Sequence, residues 1–319
     1  MSRAGTVLVT GAAGFIGSTL VDALLAEGRE VVGLDSFDSF YAESEKQQNI
    51  EAASKSACFR MVRGDVRDAD LLRTLLAETR FDCIVHLAAL AGVRPSLERP
   101  SAYADVNVSG TSTLLEMAVA CDQPRFIFAS SSSVYGERES GPFVETDRVD
   151  RPISPYAATK KAAELVCHAF HNAHGLDVTC IRFFTAYGPR QRPDLAIRRF
   201  AERMLRGEPI PIFGDGSAVR DFTYVGDVVD GLVRAVDTSL GYAILNFGAG
   251  RAISVLEMVS QLERALGVSA KKDFQAPQVG DVPRTLADIS AARKALGYEP
   301  RVRFEQGVEL FVAWLTGRG

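Results

Sequence analysis

A tyrosine and a lysine four residues apart, Tyr156 and Lys160, form the pair of side chains in this sequence best suited to move a proton. Residues spaced by four share one face of a helix, and Ser154-Pro155 just before them is typical of a helix N-cap and first helical residue. An ammonium group beside a phenol favours the phenolate, so we expect Lys160 to lower the pKa of Tyr156 below its usual value of about 10. Such a phenolate can take a proton from an alcohol while a hydride leaves the same carbon.

A glycine-rich segment near the N-terminus, Gly11-Ala-Ala-Gly14-Phe-Ile-Gly17, predicts a dinucleotide site. Glycines at this spacing allow a tight turn and a close approach of backbone N–H groups to a pyrophosphate. Asp35 follows 18 residues after Gly17 at the end of an apolar run, where a carboxylate accepts ribose hydroxyls and repels a 2′-phosphate, so NAD is preferred over NADP. Asp65 and Val66 either flank the adenine or form an ordinary turn at a strand end. The predicted cofactor residues are Gly11, Gly14, Phe15, Ile16, Gly17, Asp35, Asp65, Val66 and Lys160.

The elements that must position these residues alternate between short β-branched runs and helical patterns. Such alternation predicts an α/β fold, a Rossmann-type doubly wound parallel sheet with helices on both faces. The predicted strands are 6–10, 31–35, 58–63, 83–87, 125–130 and 178–184, and the predicted helices are 15–27, 68–79, 102–121 and 155–174.

The rhythm changes after residue 188, where Pro and Gly become more frequent and the apolar runs shorten. We expect an NAD-binding domain from residues 1–187 plus about 225–248, in which 227–237 is a helix and 243–247 a strand. Residues 188–224 plus 249–319 would form a second, smaller α/β lobe that binds the substrate, with a cleft between the two.

Composition excludes several classes of protein. The 319 residues are 47% hydrophobic and 24% charged with a net charge of −4, and the absence of a basic tract argues against nucleic-acid binding. No apolar run is long enough to predict a membrane span. Five cysteines without a C-x-x-C pair predict reduced thiols and a cytoplasmic protein. His168, His171 and His174 lack the acidic or cysteine neighbours of a metal site, so no metal is expected.

The glycine spacing and the Tyr156–Lys160 pair together resemble the extended, nucleotide-sugar branch of the short-chain dehydrogenase/reductase family, over almost the whole chain. The resemblance implies that Tyr156 is the catalytic acid/base and that Lys160 binds the nicotinamide ribose. It also maps the family's catalytic hydroxyl to Ser131, three residues before the Val of Val134-Tyr-Gly. Ser131 would bridge the 4-hydroxyl of the sugar and Tyr156.

The two residues after Ser131 bear on the choice of reaction. Related 4,6-dehydratases carry an Asp-Glu pair just before the Val-Tyr-Gly, and related decarboxylases carry a Glu immediately before it, whereas this chain has Ser132 and Ser133. With no acid there to deprotonate C5 or to assist the loss of CO2, the resemblance favours oxidation and reduction at C4 alone. It therefore implies a UDP-sugar 4-epimerase with tightly bound NAD.

Several segments are similar to UDP-glucuronate 4-epimerases, including the stretch from Thr185 to Asp194 and the stretch from Leu87 to Arg94. An arginine can bind a carboxylate through two parallel hydrogen bonds, so we expect Arg192 and Thr185, with Ser132 and Ser133, to hold the C5 carboxylate. The resemblance places Arg220 on the diphosphate, Phe213 against the uracil or in the core, and Asp281 on the uridine ribose. The predicted substrate residues are Arg94, Ser132, Ser133, Thr185, Arg192, Phe213, Arg220, Gln278 and Asp281.

Two departures leave the sugar open. Leu90 stands where uronate epimerases usually have Gln, and Pro95 where they usually have Tyr, so a UDP-glucose or dual-specificity epimerase is the first alternative. A UDP-glucuronate decarboxylase and a non-catalytic NAD-binding sensor are the others. The family resemblance also implies a homodimer through the helices predicted at 102–121 and 155–174.

Overall fold

The computed structural model describes residues 5–138, 141–277 and 282–317. Its strands are β1 Thr6–Thr10, β2 Glu30–Asp35, β3 Phe59–Arg63, β4 Cys83–His86, β5 Arg125–Ser131, β6 Val178–Phe183, β7 Thr185–Tyr187, β8 Ile210–Phe213, β9 Val219–Arg220, β10 Phe222–Tyr224, β11 Tyr242–Phe247, β12 Ile253–Ser254 and β13 Lys272–Gln275. Its α-helices are α1 Phe15–Ala26, α2 Glu43–Ile50, α3 Ala69–Glu78, α4 Val93–Glu98, α5 Pro100–Ala104, α6 Gly110–Ala120, α7 Pro155–His174, α8 Ala196–Leu205, α9 Val225–Asp237, α10 Val255–Leu266, α11 Ser290–Leu296 and α12 Phe304–Leu315.

Seven parallel strands form the central sheet in the order β11-β6-β5-β4-β1-β2-β3. The order reverses direction between β1 and β4, which is the switch point of a doubly wound sheet, and ligands of such folds bind there at the carboxyl ends of the strands. The predicted fold class is confirmed. The helix predicted over 102–121 is interrupted, because a π-helical turn, Asp105–Ser109, separates α5 from α6.

Hydrophobic side chains cover both faces of this sheet, as a buried parallel sheet requires. One face packs against α1 and α9, with Val7, Val85 and Leu232 fully buried. The other face packs against α6 and α7, with Leu8 and Phe126 fully buried. The central sheet therefore has helices on both faces, as the sequence predicts.

A third hydrophobic cluster lies outside the sheet and includes Tyr187, Phe200, Ile212 and Phe311. Phe200, Ile212 and Phe311 belong to the two segments predicted for the smaller lobe, whereas Tyr187 is the last residue of the first segment predicted for the NAD-binding domain. Part of the second segment packs elsewhere, since α11 contacts β11 and the ring of Tyr298 stacks on Phe247 with centroids 4.4 Å apart. Helix α11 thus packs against the edge of the main sheet, although the predicted division at residue 249 assigns it to the smaller lobe.

Within the described residues, no helix combines the length and the apolar character that crossing a membrane requires.

Candidate active site

A cavity of about 580 Å³ opens at the carboxyl edge of the central sheet, within the size range of small-molecule sites. The structure places sixteen of the predicted site residues on its wall: Gly11, Gly14, Phe15, Ile16, Gly17, Asp35, Asp65, Val66, Ser131, Ser132, Ser133, Tyr156, Lys160, Thr185, Arg192 and Arg220.

The glycine loop forms a cradle between β1 and α1 that only glycine can build. Gly11 has φ +72°, in the left-handed region. A Cβ atom on Gly17 would lie 2.0 Å from the carbonyl oxygen of Gly11, so a side chain there would push the start of α1 away from the loop. The N-terminus of α1 therefore presents its backbone N–H groups to the cavity, and this arrangement fits a pyrophosphate.

Asp35, at the end of β2, is held by two backbone N–H groups. Its Oδ2 accepts from Ala13 at 3.0 Å and its Oδ1 from Phe37 at 2.8 Å. Each carboxylate oxygen has a second lone pair, so the fixed group can still accept from ribose hydroxyls. The residues present thus fit NAD.

Asp65 has a different environment on the same wall. Arg67 forms a fork with its carboxylate, Nε–Oδ1 at 2.9 Å and Nη2–Oδ2 at 2.7 Å. This pairing lowers the pKa of Asp65. The structure places Asp65 and Val66 on the wall, and their contact with adenine stays a prediction.

Tyr156 and Ser131 meet in the cavity because a capped helix and a strand end side by side. The Ser154 side chain accepts from Ala157 N at 3.1 Å, and Pro155 is the first residue of α7, so the predicted N-cap is confirmed. Ser131 ends β5, accepts from Ser133 N at 3.2 Å and hydrogen-bonds to Tyr156. A hydroxyl next to a phenol in a concave site is an arrangement suited to proton transfer.

The environment of Lys160 differs from the one that the sequence predicts. Its Nζ donates to the carbonyl oxygen of Ala129 at 2.7 Å, and burial lowers its pKa to about 7, although Cys167 and Glu164 act to raise it. The pKa of Tyr156 is raised by burial, against the hydrogen bond with Ser131 and the charge of Arg192. The expectation that Lys160 lowers the pKa of Tyr156 below its usual value is therefore wrong, because burial of the phenol has the larger effect.

Arg192 lies on the cavity wall with only 20% of its side chain exposed, so it is not a solvated loop charge. Its Nε and Nη2 donate to the two carboxylate oxygens of Asp194 at 2.9 and 2.8 Å. The guanidinium also stacks on Phe40, with Cζ 5.4 Å from the ring centroid. Asp194 occupies one edge of the guanidinium, and the Nη1–Nη2 edge is the one that can bind another carboxylate.

Three hydroxyls stand on the same wall as Arg192. Ser132 and Ser133 begin a 3-10 turn after β5, and Thr185 begins β7. The Ser133 Oγ atom is buried, and the described parts of the chain offer it no hydrogen-bond partner. A buried hydroxyl of this kind is costly to leave unpaired, so it is ready for a polar ligand group.

The predicted nucleotide residues are not all brought together. Arg220 lines the cavity, whereas Arg94 and Phe213 are not among the residues that do. These two contact each other instead, with the Arg94 guanidinium 5.0 Å from the Phe213 ring centroid. Gln278 and Asp281 lie outside the described residues.

Sequence reasoning missed two groups of residues. The segment after β2 adds Phe40, Tyr41 and Lys46 to the wall, and its closely spaced aromatic residues were the available indication. Below the wall, Glu164 and Arg182 form a buried ion pair. Glu164 follows Lys160 by four residues on the same helix face, so helical periodicity could have found it.

The three histidines of α7 have other partners. His168 and His171 pack on the ring of Tyr242, with centroids 4.8 and 5.5 Å away, and His171 Nδ1 lies 2.9 Å from the carbonyl oxygen of Leu176. Over the described part of the chain, no group of three or more His, Cys, Asp or Glu residues could hold a metal ion.

Comparisons with known proteins agree with this geometry. Residues 7–248 match the model of the NAD dependent epimerase/dehydratase family. The chain is 42% identical to a UDP-glucuronate 4-epimerase of Thermodesulfobacterium geofontis, over 97% of this chain and 96% of that one.

Solved structures of two enzymes share the fold. The crystal structure of a Bacillus cereus UDP-glucuronic acid 4-epimerase with UDP-glucuronic acid and NAD has a TM-score of 0.93 and 39% identity, covering 98% of this chain and 100% of that one. A Thermotoga maritima UDP-glucose 4-epimerase with UDP-glucose has a TM-score of 0.90 and 33% identity, covering 98% and 99%. The similarity of the folds therefore does not distinguish a UDP-glucuronate site from a UDP-glucose site. That distinction depends on the side chains that line the cavity.

Proposed function

Because this chain belongs to the NAD dependent epimerase/dehydratase family, we propose that it is an isomerase that uses NAD to interconvert UDP-glucuronate and UDP-galacturonate by inverting C4. The observation that carries the proposal is that Arg192 shares one cavity wall with Tyr156 and with Ser131, Ser132 and Ser133. Proton-transfer groups and a carboxylate-binding guanidinium are thus in reach of one sugar. The relatives named above, two of which act on the uronate, support this choice of substrate.

NAD, held by the glycine cradle and Asp35, would supply the hydride chemistry at C4, which is oxidation to a ketone and reduction on the opposite face. Tyr156 removes the proton of the 4-hydroxyl, and Ser131 bridges the two oxygens. Lys160, whose Nζ bonds to Ala129 O, has further N–H donors for the nicotinamide ribose. The positive charge of a bound nicotinamide would favour the phenolate of Tyr156.

The carboxylate needs its own binding group, because a 4-keto uronate is a β-keto acid that can lose CO2. Arg192 can hold the carboxylate through the Nη1–Nη2 edge, and Thr185 and the two serines can donate hydroxyl hydrogen bonds. Charge-assisted bonds of this kind contribute roughly 1.5–3 kcal/mol. Held in the ring plane, the carboxylate resists the loss of CO2. Arg220 on the same wall would bind the diphosphate.

Incubation of the purified protein with UDP-glucuronate tests the proposal directly. UDP-galacturonate as the product supports it. CO2 with a UDP-pentose would identify a decarboxylase instead, and the absence of any conversion would identify a binding protein that uses NAD only as a ligand.

A second candidate, an epimerase that also accepts UDP-glucose, is favoured by one observation. Leu90 lines the cavity and its N–H bonds to Asn107 Oδ1 at 2.8 Å, so an apolar side chain stands where related uronate epimerases have an amide. Competition between the two sugars in one reaction gives the ratio of their kcat/KM values. A ratio near one would establish dual specificity.

We also propose a cytoplasmic homodimer that pairs α6 and α7 with their symmetry mates. Leu165 on α7 is 58% exposed, which suits an interface between helices. The five cysteines are all present as thiols, which fits a reducing compartment. Analytical ultracentrifugation of the protein and of a Leu165→Glu variant tests the dimer, which the variant should dissociate.

A further inference from the structure

The ring of Phe40 supports the guanidinium of Arg192 across the cavity. The Arg192 Cζ lies 5.4 Å from the ring centroid, a cation–π distance. Phe40 is 38% exposed, so its position is not explained by burial in a core. It lies between β2 and α2 on the cofactor side, whereas Arg192 lies between β7 and α8 on the substrate side.

The segment that carries Phe40, residues 36–46, is fixed along its length, and we call it the strap. At its start, Asp35 Oδ1 accepts from Phe37 N at 2.8 Å. In its middle, Asp38 Oδ1 accepts from Phe40 N at 2.9 Å, and the carbonyl oxygen of Asp38 accepts from Lys46 Nζ at 2.6 Å. The strap therefore presents the Phe40 ring from an ordered backbone.

The loop that carries Arg192 and the first turn of α8 are each tied to the cofactor side by an ion pair. Arg190 has φ +65°, a left-handed conformation that is costly for a residue with a side chain, and its Nη1 pairs with Asp22 of α1 at 2.8 Å. Arg198 Nη1 pairs with Glu45 of the strap region at 2.7 Å. These contacts bring the Arg192 loop against the strap in one arrangement.

Arg192 is thereby constrained in two directions. Asp194 holds one edge of its guanidinium and limits rotation within the plane, and Phe40 covers one face and limits the tilt of the plane. A planar guanidinium held in this way can fix the plane of a carboxylate on its other edge.

We propose that Phe40 is a positioning residue that determines product specificity, because its ring keeps Arg192 in the orientation that holds the substrate carboxylate against loss of CO2. This inference rests on the proposed function, since it takes Arg192 as the partner of the carboxylate. It adds a residue of the cofactor side to the determinants of what happens to the sugar.

The side reaction that Phe40 suppresses is balanced without any further reagent. In the 4-keto uronate, the bond between C5 and the carboxylate carbon breaks, its electron pair forms the C4–C5 enolate, and CO2 leaves. The enolate then takes one proton at C5 and becomes a 4-keto pentose. Breakage is fast when that bond stands perpendicular to the C4 carbonyl plane and slow when it lies in the plane, and Arg192 holds it near the plane.

The test compares Phe40→Leu, which loses the aromatic face, with Phe40→Tyr, which keeps it. Each full-length variant is given carboxyl-labelled UDP-glucuronate, and the labelled CO2 is measured relative to the UDP-galacturonate formed. We expect the ratio to rise about fivefold in Phe40→Leu, the factor that corresponds to one cation–π contact, and to stay at the wild-type value in Phe40→Tyr. Added to Arg192→Ala, Phe40→Leu should raise the ratio no further.

The ratio is counted per turnover, so a loss of folded protein does not change it. If the wild type forms UDP-galacturonate and Phe40→Leu keeps the wild-type ratio, the role of Phe40 is refuted while the proposed function stands. An equal rise in Phe40→Leu and Phe40→Tyr, or a further rise in the Arg192→Ala background, would also refute it. A wild type that forms no UDP-galacturonate refutes the proposed function, and this inference with it.

Discussion

The Nζ atom of Lys160 lies 2.7 Å from the carbonyl oxygen of Ala129, and this bond ties helix α7 to strand β5. Tyr156 is one helical turn before Lys160, and Ser131 is two residues after Ala129. The bond therefore sets the distance at which the phenol and the hydroxyl meet. It also keeps an ammonium group in a buried position, where only 3% of the residue is exposed.

Replacing Lys160 with Met should abolish turnover and change how stability depends on pH. Burial lowers the pKa of Lys160 from its usual value to about 7 in the folded chain, so between pH 7 and 10 this residue binds more protons in the unfolded chain and its contribution to the stability of the wild type rises with pH. Lys160→Met removes this dependence. The stability of the variant relative to the wild type should therefore fall by about 2 kcal/mol between pH 7 and pH 9, as urea denaturation at each pH will measure.

Lys55→Met is the matched control, because Lys55 is 73% exposed and pairs with Glu51 on the surface. It should keep the wild-type slope of stability against pH. The groups around Lys160 that also bear on its charge are His86, Glu164 and Cys167, and all three remain in the variant. A stability gap that does not change between pH 7 and 9 would contradict the titration of Lys160.

Ser131→Ala should move the acidic limb of the rate profile to higher pH. The hydrogen bond with Ser131 lowers the pKa of Tyr156, so its loss raises that pKa. Since Tyr156 accepts the 4-hydroxyl proton as a phenolate, a higher pKa requires a higher pH for the same rate. Measurement of kcat from pH 6 to 10 checks the shift, and at pH 7 we expect a loss of roughly 10²-fold or more.

Tyr156→Phe separates this effect from simple damage to the site. It removes the titrating group, so the turnover should fall by roughly 10²–10⁴-fold and the acidic limb should disappear. If the acidic limb of the kcat profile stays at the wild-type pH in both Ser131→Ala and Tyr156→Phe, the titrating group is not Tyr156.

Most of the sheet and much of the site could be predicted from the sequence, because these features depend on residues that are close together in the chain. Strand β1 and helix α7 have the predicted ends, since apolar runs bounded by polar residues and a Ser-Pro cap with a following Gly175 are local patterns. The contact between Tyr156 and Ser131 could be predicted because the family resemblance implies it. The position of the cavity follows from the fold class, because a doubly wound parallel sheet binds its ligands at the carboxyl ends of the strands.

The remainder depends on contacts between distant segments. Nothing in the sequence around Tyr156 shows that the phenol lies in a buried position that raises its pKa, so the expected effect of Lys160 was wrong. Helix α2 escaped notice because its sequence is largely polar and only Lys46, Asn49 and Ile50 are buried. The stacking of Arg192 on Phe40 joins residues 152 positions apart, and no periodicity connects them.

Arg192→Ala should lower kcat/KM for UDP-glucuronate by about 10- to 150-fold, the range that corresponds to a charge-assisted bond of roughly 1.5–3 kcal/mol. UDP-glucose has no carboxylate, so any turnover of it should fall far less. Arg192→Lys keeps the charge but cannot form two parallel hydrogen bonds. Its kcat/KM for UDP-glucuronate should therefore lie between those of the wild type and Arg192→Ala. Equal losses on both sugars would exclude the carboxylate role.

Arg206→Ala is the control for a change of charge near the same helix. Arg206 directly follows α8 and pairs with Glu208 at 2.8 Å on the surface, with 55% of its side chain exposed. This variant should keep the wild-type kcat/KM for both sugars. A similar loss there would show that net charge, rather than a contact with the sugar, explains the Arg192 result.

Glu164 and Arg182 form a buried ion pair next to Ser130, a residue of the cavity wall. The carboxylate of Glu164 accepts from Arg182 Nε and Nη2, both at 2.8 Å, and from Ser130 Oγ at 2.6 Å, with none of its side chain exposed. Burial raises the pKa of Glu164, but the bonds from Arg182 and Ser130 outweigh it and leave the pKa below the usual value. The stabilisation that Glu164 gives is thus present above the unfolded pKa and is lost as the pH falls through the folded one.

Glu164→Leu leaves the Arg182 charge buried without its partner and should destabilise the protein by about 3–5 kcal/mol at pH 7. The double variant Glu164→Leu/Arg182→Met replaces both charges with apolar groups and should recover most of that loss, since a buried pair is often no more stable than the apolar side chains that replace it. Urea denaturation of the wild type, the single variant and the double variant measures the coupling. If the double variant is as unstable as Glu164→Leu, the cost comes from the lost packing and from the lost contacts with Ser130 and Lys161 rather than from the unpaired Arg182 charge.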